Sequence, residues 1–127
     1  MNIRQRSIGE AAALDVTGRL VLGEQPEDGL LRETIVELLH NGQRDIIVNL
    51  DGVSQVDTSG LTALVGAHLI VAQGNGRVKL VNSNGRVRRV LSATRLDTIF
   101  EVFDTERDAL ASFRTQAAAA GSEPPAH

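Results

Sequence analysis

The chain contains no cysteine, tryptophan or tyrosine. Without cysteine it can form no disulfide and perform no thiolate chemistry, so the expectation is a cytoplasmic domain held together by its apolar core. Three phenylalanines are its only aromatic side chains besides histidine, which predicts an aliphatic core and leaves no stacking platform for nucleobases. Positive charge is also short. The net charge is -3, whereas a nucleic-acid binder displaces counterions with a basic face. The same acidity keeps a surface off anionic membranes. No apolar run reaches the roughly 20 residues that cross a bilayer. The opening residues, Met1-Asn2-Ile3-Arg4-Gln5-Arg6, are polar where a secretory leader would turn apolar. His40, His68 and His127 are too scattered to mark a metal cluster, and no cofactor is expected.

What is present is enough for one compact domain: 42% of 127 residues are hydrophobic. Residues 11–22 are alternating and then mixed apolar, interrupted by Gly18, and read as a strand leading into a loop; Ile3 and Ile8 flank a half-exposed edge strand. Within 26–40, Leu30, Leu31, Thr34, Ile35, Leu38 and Leu39 recur at helical spacing. Pro26, Glu27 and Asp28 suit the first turn, and Asn41-Gly42 suits the exit. Ile46-Ile47-Val48-Asn49-Leu50 has the β-branched density of a buried central strand. A polar loop is expected over 53–60, then a helix over 61–72 that is apolar on nearly every side and must be packed around most of its circumference.

Residues 77–81 supply another strand through Val78, Leu80 and Val81. A third helix carries Val87, Val90 and Leu91, with Ser83 or Asn84 as its cap. Leu96, Ile99, Phe100, Val102 and Phe103 suit a short strand or turn, and a closing helix over 104–113 has Asp104 as its cap. The domain is expected to span 1–114. Over 115–127 the composition collapses to small and polar residues, the pattern of a disordered tail, although its four-alanine run is able to extend the last helix. Strands alternating with helices through short loops predict an α/β domain with a parallel or mixed sheet.

The informative stretch is 51–61, where a buried strand feeds a buried helix through Asp57, Thr58, Ser59 and Gly60. A helix start offers unpaired amides and partial positive charge. A hydroxyl placed there can accept a phosphoryl group at the surface, adding about -1.5 to -2 charges beside Asp57. Ordinary helix capping explains the same residues, and capping and modification are compatible.

In this order of elements the chain resembles the STAS domain family of bacterial anti-sigma-factor antagonists. The resemblance rests on Ile46-Ile47-Val48-Asn49-Leu50-Asp51 followed by Val56-Asp57-Thr58-Ser59-Gly60-Leu61, which carries the family's Asp-x-Ser-Gly-Leu signature. It continues through Gly74-Asn75-Gly76-Arg77-Val78-Lys79-Leu80, residues 87–96 and residues 99–103. It implies a mixed sheet of four to five strands with about four helices mainly on one face. It also implies a non-catalytic switch in which Ser59 is the phosphoacceptor and Thr58 the second choice. Unphosphorylated, the domain would bind an anti-sigma factor that is also a histidine-kinase-like serine kinase, and so free a sigma factor; a PP2C-type phosphatase would reset it. Asp57 would orient the site, Thr58 would lie in the docking surface, and Gly60 would admit the partner's active site. Arg19, Val21, Leu22 and Leu61 are further candidates for the docking surface. Where the family often carries Gly-Glu-Leu-Asp, this chain has Gly18-Arg19-Leu20-Val21, which puts an arginine, a side chain suited to phosphate, at that strand end.

Other readings remain beside this one: a scaffold of a stress-signalling complex with weak self-association, a partner of a two-component histidine kinase, or a nucleotide-binding module. The last lacks a Walker-type loop, because Gly74-Asn75-Gly76 follows a helix and reads as a helix-ending turn. Arg86, Arg88, Arg89 and Arg95 read as a solvated helix face, and His68 as a packed or partly exposed side chain. No nucleophile–base pair stands out.

Overall fold

The structure, a computed structural model, describes residues 2–20, 29–82 and 85–122, with side chains through Arg114. Five strands form one sheet in the order β1-β2-β3-β4-β5. β1 (Asn2–Ile8) and β2 (Ala11–Leu20) make an antiparallel hairpin. β3 (Asp45–Val56), β4 (Arg77–Val81) and β5 (Val102–Phe103) add to β2 in parallel. The mixed α/β architecture is the one the alternating pattern predicts.

Strand alternation divides the core. Ala12, Leu14 and Val16 of β2, with Ile46, Val48 and Leu50 of β3, face the larger apolar cluster beneath α1 (Leu30–His40), α2 (Thr58–Gln73) and α3 (Arg86–Ala93). Ala11, Ala13, Ile47 and Val81 face a smaller cluster with Ala109 and Phe113 of α4 (Glu106–Ser122). Three helices thus share one face and α4 covers the other. Aliphatic side chains dominate: Leu14, Leu20, Ile35, Ile46, Ile47, Val48, Leu50 and Leu80 are wholly buried. On its polar flank α4 is tied down by Glu106, which accepts from Arg6 and, at 2.9 Å, from Asn49 Nδ2; Arg6 also donates to Asp15 at 2.7 Å.

Several boundaries differ from the expectation for physical reasons. β3 runs on to Val56, where a loop was expected after residue 52, because it keeps pairing with β2 through two irregularities. Between Asn49 and Gly52 the longer strand inserts an extra residue, which flips the side-chain parity and returns Val53 to the core. α2 begins at Thr58 rather than Leu61, since Asp57 caps it. α3 is capped by Asn82, whose Oδ1 accepts the amides of Val87 and Arg88 at 3.0 and 3.2 Å; the expected caps Ser83 and Asn84 lie outside the described residues. At α4 the cap is Thr105, whose Oγ1 accepts the Asp108 amide at 3.1 Å. Asp104, expected there, instead accepts from Arg88 at 2.9 Å. α4 continues through the alanine run to Ser122, past the expected end of the domain at Arg114, as the helix preference of alanine favours. Pro26 and its first turn fall outside the described residues.

Candidate functional site

The site is assembled where β2 and β3 end and α2 begins. The Asp57 amide donates to the Leu20 carbonyl at 3.4 Å, tying the loop to β2 as the chain turns into the helix. Asp57 has extended backbone and serves as N-cap: its Oδ1 accepts the Gly60 amide at 3.0 Å. The same oxygen accepts the Ser59 hydroxyl at 2.6 Å. Ser59 is half-buried and Thr58 exposed. The Ser59 hydroxyl, then the amides of Gly60 and Ser59 and the positive charge of Arg19, hold the Asp57 carboxyl below its ordinary value.

That arrangement has a chemical meaning. A carboxylate stabilised in its charged form is a weak base, so Asp57 orients the Ser59 hydroxyl rather than deprotonating it. Its bond to Asp57 holds the Ser59 hydroxyl in one orientation. This oriented hydroxyl lies in the first turn of a sixteen-residue helix, where backbone amides and the helix dipole favour added negative charge.

The sequence profile of the STAS domain matches residues 11–109. The chain belongs to the STAS domain family. Curated relatives of this STAS chain include two Thermotoga proteins provisionally named anti-sigma factor antagonists. That of Thermotoga neapolitana is 38% identical over 74 residues, 58% of this chain and 66% of the relative. That of Thermotoga maritima is 33% identical over 78 residues, 61% of this chain and 69% of the relative. The anti-sigma-B factor antagonist of Staphylococcus aureus is 28% identical over 102 residues, 80% of this chain and 92% of that one. A crystal structure from Thermotoga maritima, again with the provisional name, superposes with TM-score 0.76 at 25% identity, covering 88% of this chain and 94% of its own.

Within this STAS domain the expected site residues separate into two groups. Asp57, Thr58, Ser59 and Arg19 come together at the surface. Gly60 and Leu61 turn inward. Leu61 is 6% exposed and belongs to the main core. Gly60 is buried against Leu20, so the absence of its side chain serves packing between β2 and α2. Val21 and Leu22 lie outside the described residues.

Three contacts at this edge escaped the sequence reading. Gln55 Oε1 accepts from Arg19 Nε at 3.1 Å. Arg86 Nη1 donates to the Ser54 carbonyl at 2.6 Å, while Ser54 Oγ donates to the Gly18 carbonyl at 3.2 Å. The Arg19–Gln55 contact depends on the irregular register that sets the two residues opposite one another, and no local pattern announces such a register. The Gly74-Asn75-Gly76 turn ends α2 as expected, with the Gly76 amide on the Val71 carbonyl at 2.8 Å. His68 is half-buried and meets Phe100 edge-on at 5.5 Å between ring centres. Among the described residues no group of three or more histidine, cysteine or acidic side chains could hold a metal ion.

Proposed function

We propose that this chain is an anti-sigma factor antagonist, a non-catalytic switch that captures an anti-sigma factor through the surface around Thr58 and Ser59. Membership of the STAS family and the names carried by its relatives support the role. The observation that carries the switch is the 2.6 Å bond from Ser59 to Asp57 in the first turn of α2. It fixes an accessible hydroxyl in one orientation, which favours Ser59 over the exposed Thr58 as phosphoacceptor.

The kinase would be the anti-sigma factor itself, a serine kinase with a histidine-kinase-like ATP site. Transfer forms a bond between Ser59 Oγ and the γ-phosphorus of ATP, breaks that phosphorus's bond to the β,γ-bridging oxygen so that ADP leaves, and passes the hydroxyl proton to a base of the kinase or to solvent. The product has lost the hydrogen that bonded Asp57 and sets a phosphate beside that carboxylate. A partner surface that matched a neutral hydroxyl then meets like charge and a desolvation cost. A PP2C-type phosphatase would restore the binding state. The cytoplasm is the compartment in which such partners meet, and no helix among the described residues is long and apolar enough to cross a membrane.

Phosphopeptide mapping of the protein from its own cells, with binding of purified anti-sigma factors from the same organism to wild type, Ser59→Ala and Ser59→Asp, tests the reading. Phosphate on Ser59, capture kept by Ser59→Ala and lost by Ser59→Asp, is the expected result. An unmodified Ser59 under growth and stress, with capture indifferent to both substitutions, would overturn it.

A further inference from the structure

Arg19 is exposed at the end of β2 and is anchored by a neutral group: its Nε donates to Gln55, its cross-strand neighbour. The next residue, Leu20, receives the Asp57 amide and packs against Gly60. Arg19 therefore stands one residue along β2 from the contact that seats the start of α2. Among the described residues no carboxylate forms an ion pair with it. Gln55 engages Nε alone, and among the described residues no hydrogen bond is made by the two terminal nitrogens, which carry four N–H donors. The result is a guanidinium anchored by a neutral amide, in no ion pair among the described residues, at the strand end where α2 and its oriented serine hydroxyl are seated.

Phosphorylation of Ser59 would change what surrounds that guanidinium. The ester has no hydrogen for Asp57, and the new anion is repelled by the carboxylate that held the hydroxyl. The cation whose charge already bears on that carboxylate is Arg19, anchored on Gln55 at the end of β2. A guanidinium offers paired donors in a plane and binds phosphate oxygens two at a time, which a lysine or a lone amide does not.

We propose that Arg19, anchored by Gln55, is the intrachain receiver of a phosphate on Ser59, folding the modified side chain onto the end of β2. The inference rests on the reading of Ser59 as phosphoacceptor. In the phosphorylated state Arg19 is withdrawn from any acidic group of the partner, and part of the phosphate charge is compensated within the chain. Phosphorylation thus alters the surface twice, by adding an anion and by occupying a cation.

Phosphoserine placed at position 59 during translation, in wild type, Arg19→Gln and Arg19→Lys, removes any dependence on the native kinase. A phosphorus NMR titration then reads the second ionisation of the phosphate directly. Its midpoint is expected roughly half a unit or more lower in wild type than in Arg19→Gln, with Arg19→Lys between them and the gap shrinking as salt rises. Proton–nitrogen spectra of the same samples confirm that each variant is folded. Identical midpoints in wild type and Arg19→Gln would overturn the inference. Binding of the purified anti-sigma factor to the same phosphoproteins separates the two readings. Undiminished binding despite a shifted midpoint would sink the switch at Ser59 and leave the Arg19 pair standing; weakened binding with identical midpoints would sink the Arg19 pair alone.

Discussion

A methyl group on Gly60 would stand 1.9 Å from the carbonyl oxygen of Leu20 and 2.9 Å from its carbonyl carbon. The first turn of α2 therefore rests on the end of β2 backbone to backbone. Neither partner in that overlap is a flexible side-chain tip, so relief requires the helix and the strand to part. Gly60→Ala is expected to cost about 2–4 kcal/mol of stability, despite the better helix propensity of alanine. Urea unfolding checks this; an unchanged midpoint would mean that the helix and the strand part at little cost.

The Asp57 carboxyl is held below its ordinary value, first by the Ser59 hydroxyl and then by the Gly60 amide. A depressed carboxyl contributes stability that is present above its unfolded-state pKa and is lost as pH falls through the folded-state one. Asp57→Asn keeps a capping oxygen but removes the charge. Wild type is therefore expected to melt higher than Asp57→Asn at pH 7. The two curves should converge below the ordinary carboxylate range, near pH 4 and under. Thermal melts of both proteins between pH 7 and pH 2.5 decide it, and a gap that is constant with pH would deny Asp57 its charged role.

How much of this was legible in the sequence depends on the range of the interaction. The alternating strands and helices and the turn at residues 74–76 are written in neighbouring residues and fold as read, whereas α2 starts at Thr58, ahead of its apolar run, because Asp57 caps it. The overrun of β3 to Val56 was not legible, because the irregular pairing with β2 that sustains it is set by another strand. The family resemblance places Gly60 at a contact surface, and Leu61 is expected there as an aliphatic residue near the loop. A helix turns about 100° per residue, and both point to the core. Asn82 was passed over as a cap since it sits several residues before the helix it serves, across a left-handed Gly85.

Asn82 is 1% exposed and satisfies two helix-start amides with one oxygen, while its Nδ2 reaches the Leu50 carbonyl at 3.4 Å. Removing the side chain leaves buried donors without a partner, in a place too dry to be resolvated freely. Asn82→Ala is expected to destabilise by about 2–3 kcal/mol. Amide exchange should localise the loss, with Val87 and Arg88 losing protection ahead of β4. Uniform loss across the chain would mean that Asn82 holds more than the α3 start.

Lys79 is the largest fully buried side chain that carries a charge, at 1% exposure. It points beneath α4, where its Nζ donates to Glu101 at 2.7 Å and to Ser112 Oγ at 2.9 Å, and lies 5.2 Å from the ring centre of Phe113 and 5.7 Å from that of Phe103. The alternation of 77–81 would have turned this residue to solvent, and only the helix on the second face buries it. Glu101 is more than half exposed, so the charge on that side keeps its water. The pair then offsets little beyond the cost of burying one ammonium, and the stem of Lys79 is what fills the space. Lys79→Met, which keeps the stem, is expected to stay within about 1 kcal/mol of wild type or to exceed it. Lys79→Ala, which empties it, should lose about 2–4 kcal/mol. Glu101→Gln should fall below Lys79→Met, because it strips the counter-charge and leaves the ammonium buried. Denaturant melts of the three variants give the ranking; a Lys79→Met protein as weak as Lys79→Ala would assign the stability to the ion pair instead of the packing.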